Sequence, residues 1–178
     1  HSTRLFNEMI IRKTVAHEMS LQGQREFMEF EGWKSRHDAR KLSAPNLSYS
    51  DEVDGSEQIV RITNMATDWK EWIKTLGEIV FHSEGVVKVR YCQEWYTVEY
   101  KQQGQGFEFR VATNNTKGEI LFIAALKNVL RKSAYCIGCQ VCEANCPNGY
   151  ISFENGNVHI DERCVHCLMC HKVSSTSC

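Results

Sequence analysis

No apolar run in these 178 residues approaches the roughly 20 that a membrane-spanning helix needs. Nor is there an excess of one charge. The 21 Lys and Arg stand against 22 Asp and Glu, a net charge of −1, which argues against a nucleic-acid-binding stripe across the whole surface. No signal-peptide pattern is visible, and a cytoplasmic protein with no membrane partner is expected. A Ser/His/Asp constellation, a phosphate-cradling loop and an activated lone cysteine are all missing, so no catalytic residue is assigned. The chain opens on His1 instead of methionine and is expected to be a segment of a longer polypeptide.

What the sequence does have is cysteine, placed unevenly. Eight of its nine cysteines fall within the last 43 residues. Cys136, Cys139, Cys142 and Cys146 spell C-I-G-C-Q-V-C-E-A-N-C-P, the C-x2-C-x2-C-x3-C-P run with which bacterial-type ferredoxins hold [4Fe–4S] clusters. The triplet returns 28 positions later as Cys164, Cys167 and Cys170, in C-V-H-C-L-M-C. Three thiolates at i, i+3 and i+6 in a tight loop suit three corners of one cuboidal cluster. Structural zinc instead takes two separated C-x2-C pairs per ion, which leaves the third cysteine of each triplet and the C-P unexplained. A disulfide framework suits small secreted domains. Two [4Fe–4S] clusters are therefore the expected cofactors.

In two-cluster ferredoxins the fourth cysteine of each run ligates the other cluster. Cys146 is accordingly expected to complete the cluster of Cys164, Cys167 and Cys170. The second run departs from the pattern, because Ser174 stands where its fourth cysteine belongs and no proline follows. Either Cys178 reaches back through the loop K-V-S-S-T-S, or the cluster of Cys136, Cys139 and Cys142 lacks a protein ligand. The first is expected, since a thiol eight residues on closes that distance without strain.

Between the triplets, Tyr150–Phe153 and Val158–Asp161 flank Glu154-Asn155-Gly156-Asn157, a strand–turn–strand pattern with the Asn-Gly hairpin signal. Ile151, Phe153, Val158 and Ile160 give it an apolar face that would shield the clusters from water. Pro147 and Gly149 supply the tight exit from the first loop. Tyr135 is expected to fill core. His166 and His171 flank ligand cysteines; with this many thiolates nearby, surface or supporting positions are expected for both. Cys92, in an apparent strand Val89–Cys92, is expected to be a buried small hydrophobe without a role.

Elsewhere, 42% hydrophobic composition allows a globular core with two or more subdomains. Residues 4–42 read as mainly helical, with Lys34, Arg36, Arg40 and Lys41 interleaved by Glu29, Glu31 and Asp38 on a solvated face. Residues 43–57 have the composition of a linker. A strand at Ile59–Ile62 precedes a helix capped by Asp68 with Glu71 as a capping box, burying Trp69, Trp72, Ile73 and Leu76 along one stripe. Strand patterns at Ile79–Phe81, Val86–Tyr91, Trp95–Tyr100 and Phe107–Val111 predict an antiparallel meander. Thr116 and Glu119 form a second capping box, opening a helix apolar nearly all round and expected to be buried. Arg131 and Lys132 close that helix, where positive charge would offset an anionic cluster.

The order T-D-W-K-E-W-I-K-T-L-G, a strand-rich unit, a buried helix and then the two cysteine runs, with R-K-T-V-A-H-E-M-S-L-Q-G-Q-R-E-F upstream, resembles the C-terminal part of long phosphoadenosine-phosphosulfate-reductase-family proteins. Those proteins pair an adenine-nucleotide hydrolase-like domain with a ferredoxin-like region. Their Ser-Gly-Gly-x-Asp-Ser nucleotide loop does not occur here. In that family the second run tends to lack C-P and to place its last cysteine later, which favours Cys178 as a ligand. The resemblance implies electron supply to sulfur or nucleotide chemistry carried out by a partner domain. A structural or regulatory cluster in a nucleic-acid-processing protein is the alternative, nucleic acid entering only through the parent protein. The fold expected is α+β, with a helical segment and linker over 1–57, an α+β domain over 58–133 and a two-cluster ferredoxin-like domain over 134–178.

Overall fold

The computed structural model describes residues 48–136 and 138–174. The helical reading of 4–42 and the position of Cys178 lie outside those residues. The described chain is α+β. Its larger sheet contains β1 (Ser50–Asp54), β2 (Glu57–Ile62), β3 (Glu78–Ser83), β4 (Val86–Tyr91), β5 (Glu94–Gln103) and β6 (Gly106–Ala112) in the order β1-β2-β6-β5-β4-β3. Every neighbouring pair is antiparallel. The expected meander is thus present as β3 to β6, with β2 returning to pair with β6.

Alternation along most strands packs one face of this sheet, although Ile59 on the opposite face of β2 is buried as well. Val60, Ile62, Val87, Val89, Val98, Phe109 and Val111 are all buried on the packed face. Helix α1 (Trp69–Trp72), continued by a 3-10 turn at Ile73–Thr75, lays its stripe over that face. Trp69, Trp72, Ile73 and Leu76 are buried as the periodicity predicts. Trp69 meets Tyr100 and Phe109 edge-on at 4.8 and 4.9 Å, a favoured aromatic geometry. Gly77 then lets the chain turn closely against β4, where a Cβ would collide with the carbonyl oxygen of Arg90.

Helix α2 (Lys117–Tyr135) covers the rest of the face. Its capping box is formed as expected: Thr116 Oγ1 accepts the Glu119 N–H, and the Glu119 carboxylate accepts the Thr116 N–H at 3.1 Å. Phe122 stacks on Tyr96 at 4.3 Å, and Leu126, Val129 and Leu130 are buried. The helix is less enclosed than its composition predicts. Ile120 and Leu121 in its first turns are exposed, because the sheet covers only one side there. Its last turn, Lys132 to Tyr135, is buried throughout.

Three further expectations are corrected. Ser50–Asp54, inside the stretch read as linker, is the edge strand β1. All five of its residues are exposed, so no apolar alternation marked it, and charged residues are common on such edges. The Asp68–Glu71 capping box is only half present. Asp68 accepts the Lys70 N–H at 2.9 Å, but Glu71 binds Lys74 and the backbone of Ile160 instead. Cys92 is neither buried nor in a strand. It is exposed and forms, with Gln93, the two-residue turn between β4 and β5, both at positive φ (48° and 70°).

The cysteine-rich unit follows α2. It comprises α3 (Val141–Asn145), the hairpin β7 (Ile151–Glu154) and β8 (Asn157–Ile160), and α4 (Met169–Ser174). Asn155 and Gly156 turn the hairpin with φ of 52° and 81°, the left-handed pair an Asn-Gly turn supplies. Ile151, Val158 and Ile160 are buried, with Phe153 half-buried against the same core. Tyr135 fills core as expected. No helix among the described residues is long and apolar enough to cross a membrane.

Candidate metal centre

The first cysteine run begins as α2 ends. Cys136 caps the helix, its N–H donating to Lys132 O at 2.9 Å. Gly138 and Gln140 then take left-handed conformations, φ 70° and 62°, and Cys142 enters in the first turn of α3. The second run repeats this path. His166 and Leu168 are left-handed at φ 55° and 58°, and Cys170 enters in the first turn of α4. The left-handed residues fall at the same places in the two runs, 28 positions apart.

Left-handed backbone costs a residue with a Cβ about 1 kcal/mol or more, and three of the four bear one. What the conformation does is turn backbone N–H groups inward, as in anion-binding nests. The Gly138 N–H points at Cys136 Sγ at 3.5 Å. The N–H groups of Val141 and His166 likewise reach the thiols of Cys139 and Cys164. Tyr150 N–H donates to Cys146 Sγ at 3.2 Å.

The thiols of the two runs also act on one another, within and across the runs. Burial pushes the Cys136 and Cys139 thiols up, and each is raised further by Cys142. Burial likewise raises Cys164, and the next sulfurs acting on it are Cys146 and Cys167. Cys170 is pushed up to about 12, chiefly by burial, with Cys142, Cys164 and Cys167 adding to the effect. Cys146 adjoins the first run in sequence but acts on the second in space.

Two residues near the thiols escaped the sequence or were read only in part. Thr67 accepts the Trp72 indole N–H at 2.8 Å and directs its hydroxyl to Cys136. The Ser133 carbonyl fixes its loop by accepting the N–H groups of Ala66 and Thr67. Nothing local in the sequence marks Thr67, whose partners are Trp72 in α1, Ser133 in α2 and Cys136 at the C-cap of α2. Arg131 and Lys132, read together as compensating charge, separate. Arg131 lies over the Tyr49 ring at 4.8 Å. Lys132 turns inward, fully buried, and donates to Cys142 Sγ at 3.2 Å and Cys170 O at 2.7 Å.

The two histidines also part. His166 is exposed. His171 is buried with Nε2 at 2.6 Å from Thr75 Oγ1, whose own hydrogen goes to the Trp72 carbonyl. His171 therefore donates through Nε2. Nδ1 has no hydrogen-bond partner among the described residues. Burial, aided by Lys132, holds its pKa well below the usual histidine value.

Among the described residues no group of three or more His, Cys, Asp or Glu side chains is gathered as a single-ion site. The donor chemistry fits a larger anionic group, with two thiol-rich turns, backbone N–H groups aimed at sulfur and a buried ammonium between them. No family model, curated protein or solved structure matches the chain.

Proposed function

We propose that this chain is an iron–sulfur electron-transfer module binding two [4Fe–4S] clusters. Cys136, Cys139, Cys142 and Cys178 would hold one, and Cys164, Cys167, Cys170 and Cys146 the other. The observation that carries this reading is the repeated backbone turn, left-handed at Gly138/Gln140 and again at His166/Leu168. One copy could be a local accident. Two copies in register with two C-x2-C-x2-C runs fit a common task for both. The action of Cys146 on Cys164 supports the crossed ligation found in two-cluster ferredoxins.

When bound, each cluster would supply a centre that takes up and releases one electron. The protein's part is to hold the thiolates, direct N–H groups at them and keep water out with Ile151, Val158 and Ile160. Metal binding must first displace protons from thiols that burial has raised. In keeping with the family resemblance, the electrons would pass to a phosphoadenosine-phosphosulfate-reductase-like domain of a longer cytoplasmic protein, or to a separate redox partner.

Anaerobic purification with iron and sulfide analysis tests the reading. About eight irons and eight sulfides per chain are expected from two cubane clusters, with an electron paramagnetic resonance signal on reduction. Two zinc ions without sulfide would sink it. Clusters that never change redox state, and whose removal unfolds the chain, would replace electron transfer with a structural role.

A further inference from the structure

Lys132 stands where a solvated residue is expected. A lysine in the last turn of a helix favourably faces the negative end of the helix dipole from the surface. Here the side chain is 0% exposed, and Lys132 is the sole buried Lys or Arg among the described residues. Its Nζ lies 3.2 Å from Cys142 Sγ in the first run, 2.7 Å from the Cys170 carbonyl in the second and 4.8 Å from the Trp72 ring. No carboxylate pairs with it among the described residues.

A buried ammonium without a counter-anion is costly, so its position calls for negative charge close by. A cluster with four thiolate ligands carries net negative charge, and each electron it gains adds one more. A fixed cation beside the sulfur stabilises the reduced form more than the oxidised form.

We propose that Lys132 is a positioning and potential-setting residue: a fixed counter-charge wedged between the two cysteine runs that raises the reduction potential of the cluster at Cys136, Cys139 and Cys142. The direct contact is to the sulfur of Cys142, whereas the second run is met through a carbonyl. Lys132 also acts on the Cys170 thiol; the 3.2 Å contact to a ligand sulfur makes the first cluster the one expected to respond more. This inference rests on the iron–sulfur reading and adds to it a named residue with an electrical task.

The test is a redox titration of the full chain, followed by electron paramagnetic resonance, for wild type, K132M and K132Q. Removing the charge should shift the one-electron equilibrium of one cluster at least tenfold toward oxidised, about 59 mV for a one-electron couple. The other cluster should move less. K132Q keeps an N–H donor but no charge. A shift in both variants supports the counter-charge, whereas a shift in K132M alone would assign the effect to hydrogen bonding and overturn it. Thermal melting of the metal-free chain gives a second readout. K132M should melt higher than wild type without metal and lower with clusters bound, a reversal that a merely structural lysine does not produce.

Should K132M fail to load clusters, K132Q carries the titration and the metal-free melts still apply. Wild-type iron and sulfide in a variant with unmoved potentials would remove the role of Lys132 and leave the iron–sulfur reading intact. A wild-type chain without iron and sulfide would remove both.

Discussion

Glu71 accepts the backbone N–H of Ile160 at 3.0 Å, although 89 positions separate them. Helix α1 of the six-stranded unit is thereby tied to β8 of the cysteine-rich unit. The same carboxylate binds Lys74 Nζ at 2.6 Å and has His159 Nδ1 at 3.7 Å. The two units share one hydrophobic core, and Glu71 sits at the edge of their contact.

The Glu71 junction predicts a defined pH dependence. Burial would raise the Glu71 pKa, but Lys74, the Ile160 N–H and His159 outweigh it and hold the carboxyl below its ordinary value of 4.5. A carboxyl with a depressed folded-state pKa contributes stability that is present above its unfolded value and is lost as pH falls through the folded one. E71Q should therefore melt below wild type at pH 7. The gap should close as pH drops below 4.5, where wild type takes up the proton that Gln mimics. Parallel melting curves with a constant gap down to acid pH would contradict this.

Gly77 predicts a steric cost and not a conformational one. A methyl group there meets the Arg90 carbonyl oxygen, which is backbone and fixed by pairing of β3 with β4. G77A should cost about 1–3 kcal/mol, the usual range for overpacking a closed site. Melting temperature should fall by roughly 2–4 °C per kcal/mol for a chain of this size. An unchanged melting temperature would mean that the turn can open without cost.

His166 predicts the opposite sign. It is exposed and left-handed at φ 55°, so its Cβ carries strain that glycine lacks. After allowing for the greater freedom of glycine in the unfolded chain, H166G should gain about 0.5–1 kcal/mol. On the proposed iron–sulfur reading, iron content should match wild type. A drop in iron would instead make His166 a ligand, against its exposed position.

What was legible in the sequence was local or periodic. The tryptophan stripe, the Thr116–Glu119 box and the Asn155-Gly156 turn each depend on residues within one turn or one strand pair, and each is present. What escaped depends on distant partners. Glu71 forgoes the cap of its own helix for Ile160, because a tertiary N–H and a lysine together outcompete one local bond. Lys132 was visible as charge near the cysteines, but only the convergence of α2, α3 and α4 determines that it is buried. Edge strand β1 carries polar residues on both faces, so no alternation could reveal it. Cys92 had strand-like neighbours, yet the two-residue hairpin needed its position for the turn.

Cys146 yields the sharpest prediction, because proximity in sequence and proximity in space disagree there. It follows Cys142 by four positions, and a chain reading would assign both to one cluster. Its N–H partner is Tyr150, at the start of the hairpin that leads away to the second run. The sulfurs that raise Cys164 are Cys146 and Cys167, with none of Cys136, Cys139 and Cys142 among them. On the proposed two-cluster ligation, C146S should therefore damage the cluster of Cys164, Cys167 and Cys170 and spare that of Cys136, Cys139 and Cys142. Iron should fall from about eight toward about four per chain, or toward seven if a three-iron cluster survives. C178A should do the reverse, leaving the first cluster three-iron or oxygen-sensitive and the second intact. The two lesions are told apart by adding K132M, because Lys132 contacts Cys142. In C146S the surviving cluster should still respond to loss of the Lys132 charge, whereas in C178A the surviving cluster should respond weakly. If C146S instead abolishes the cluster that Lys132 tunes, ligation follows the sequence and the crossed arrangement is wrong.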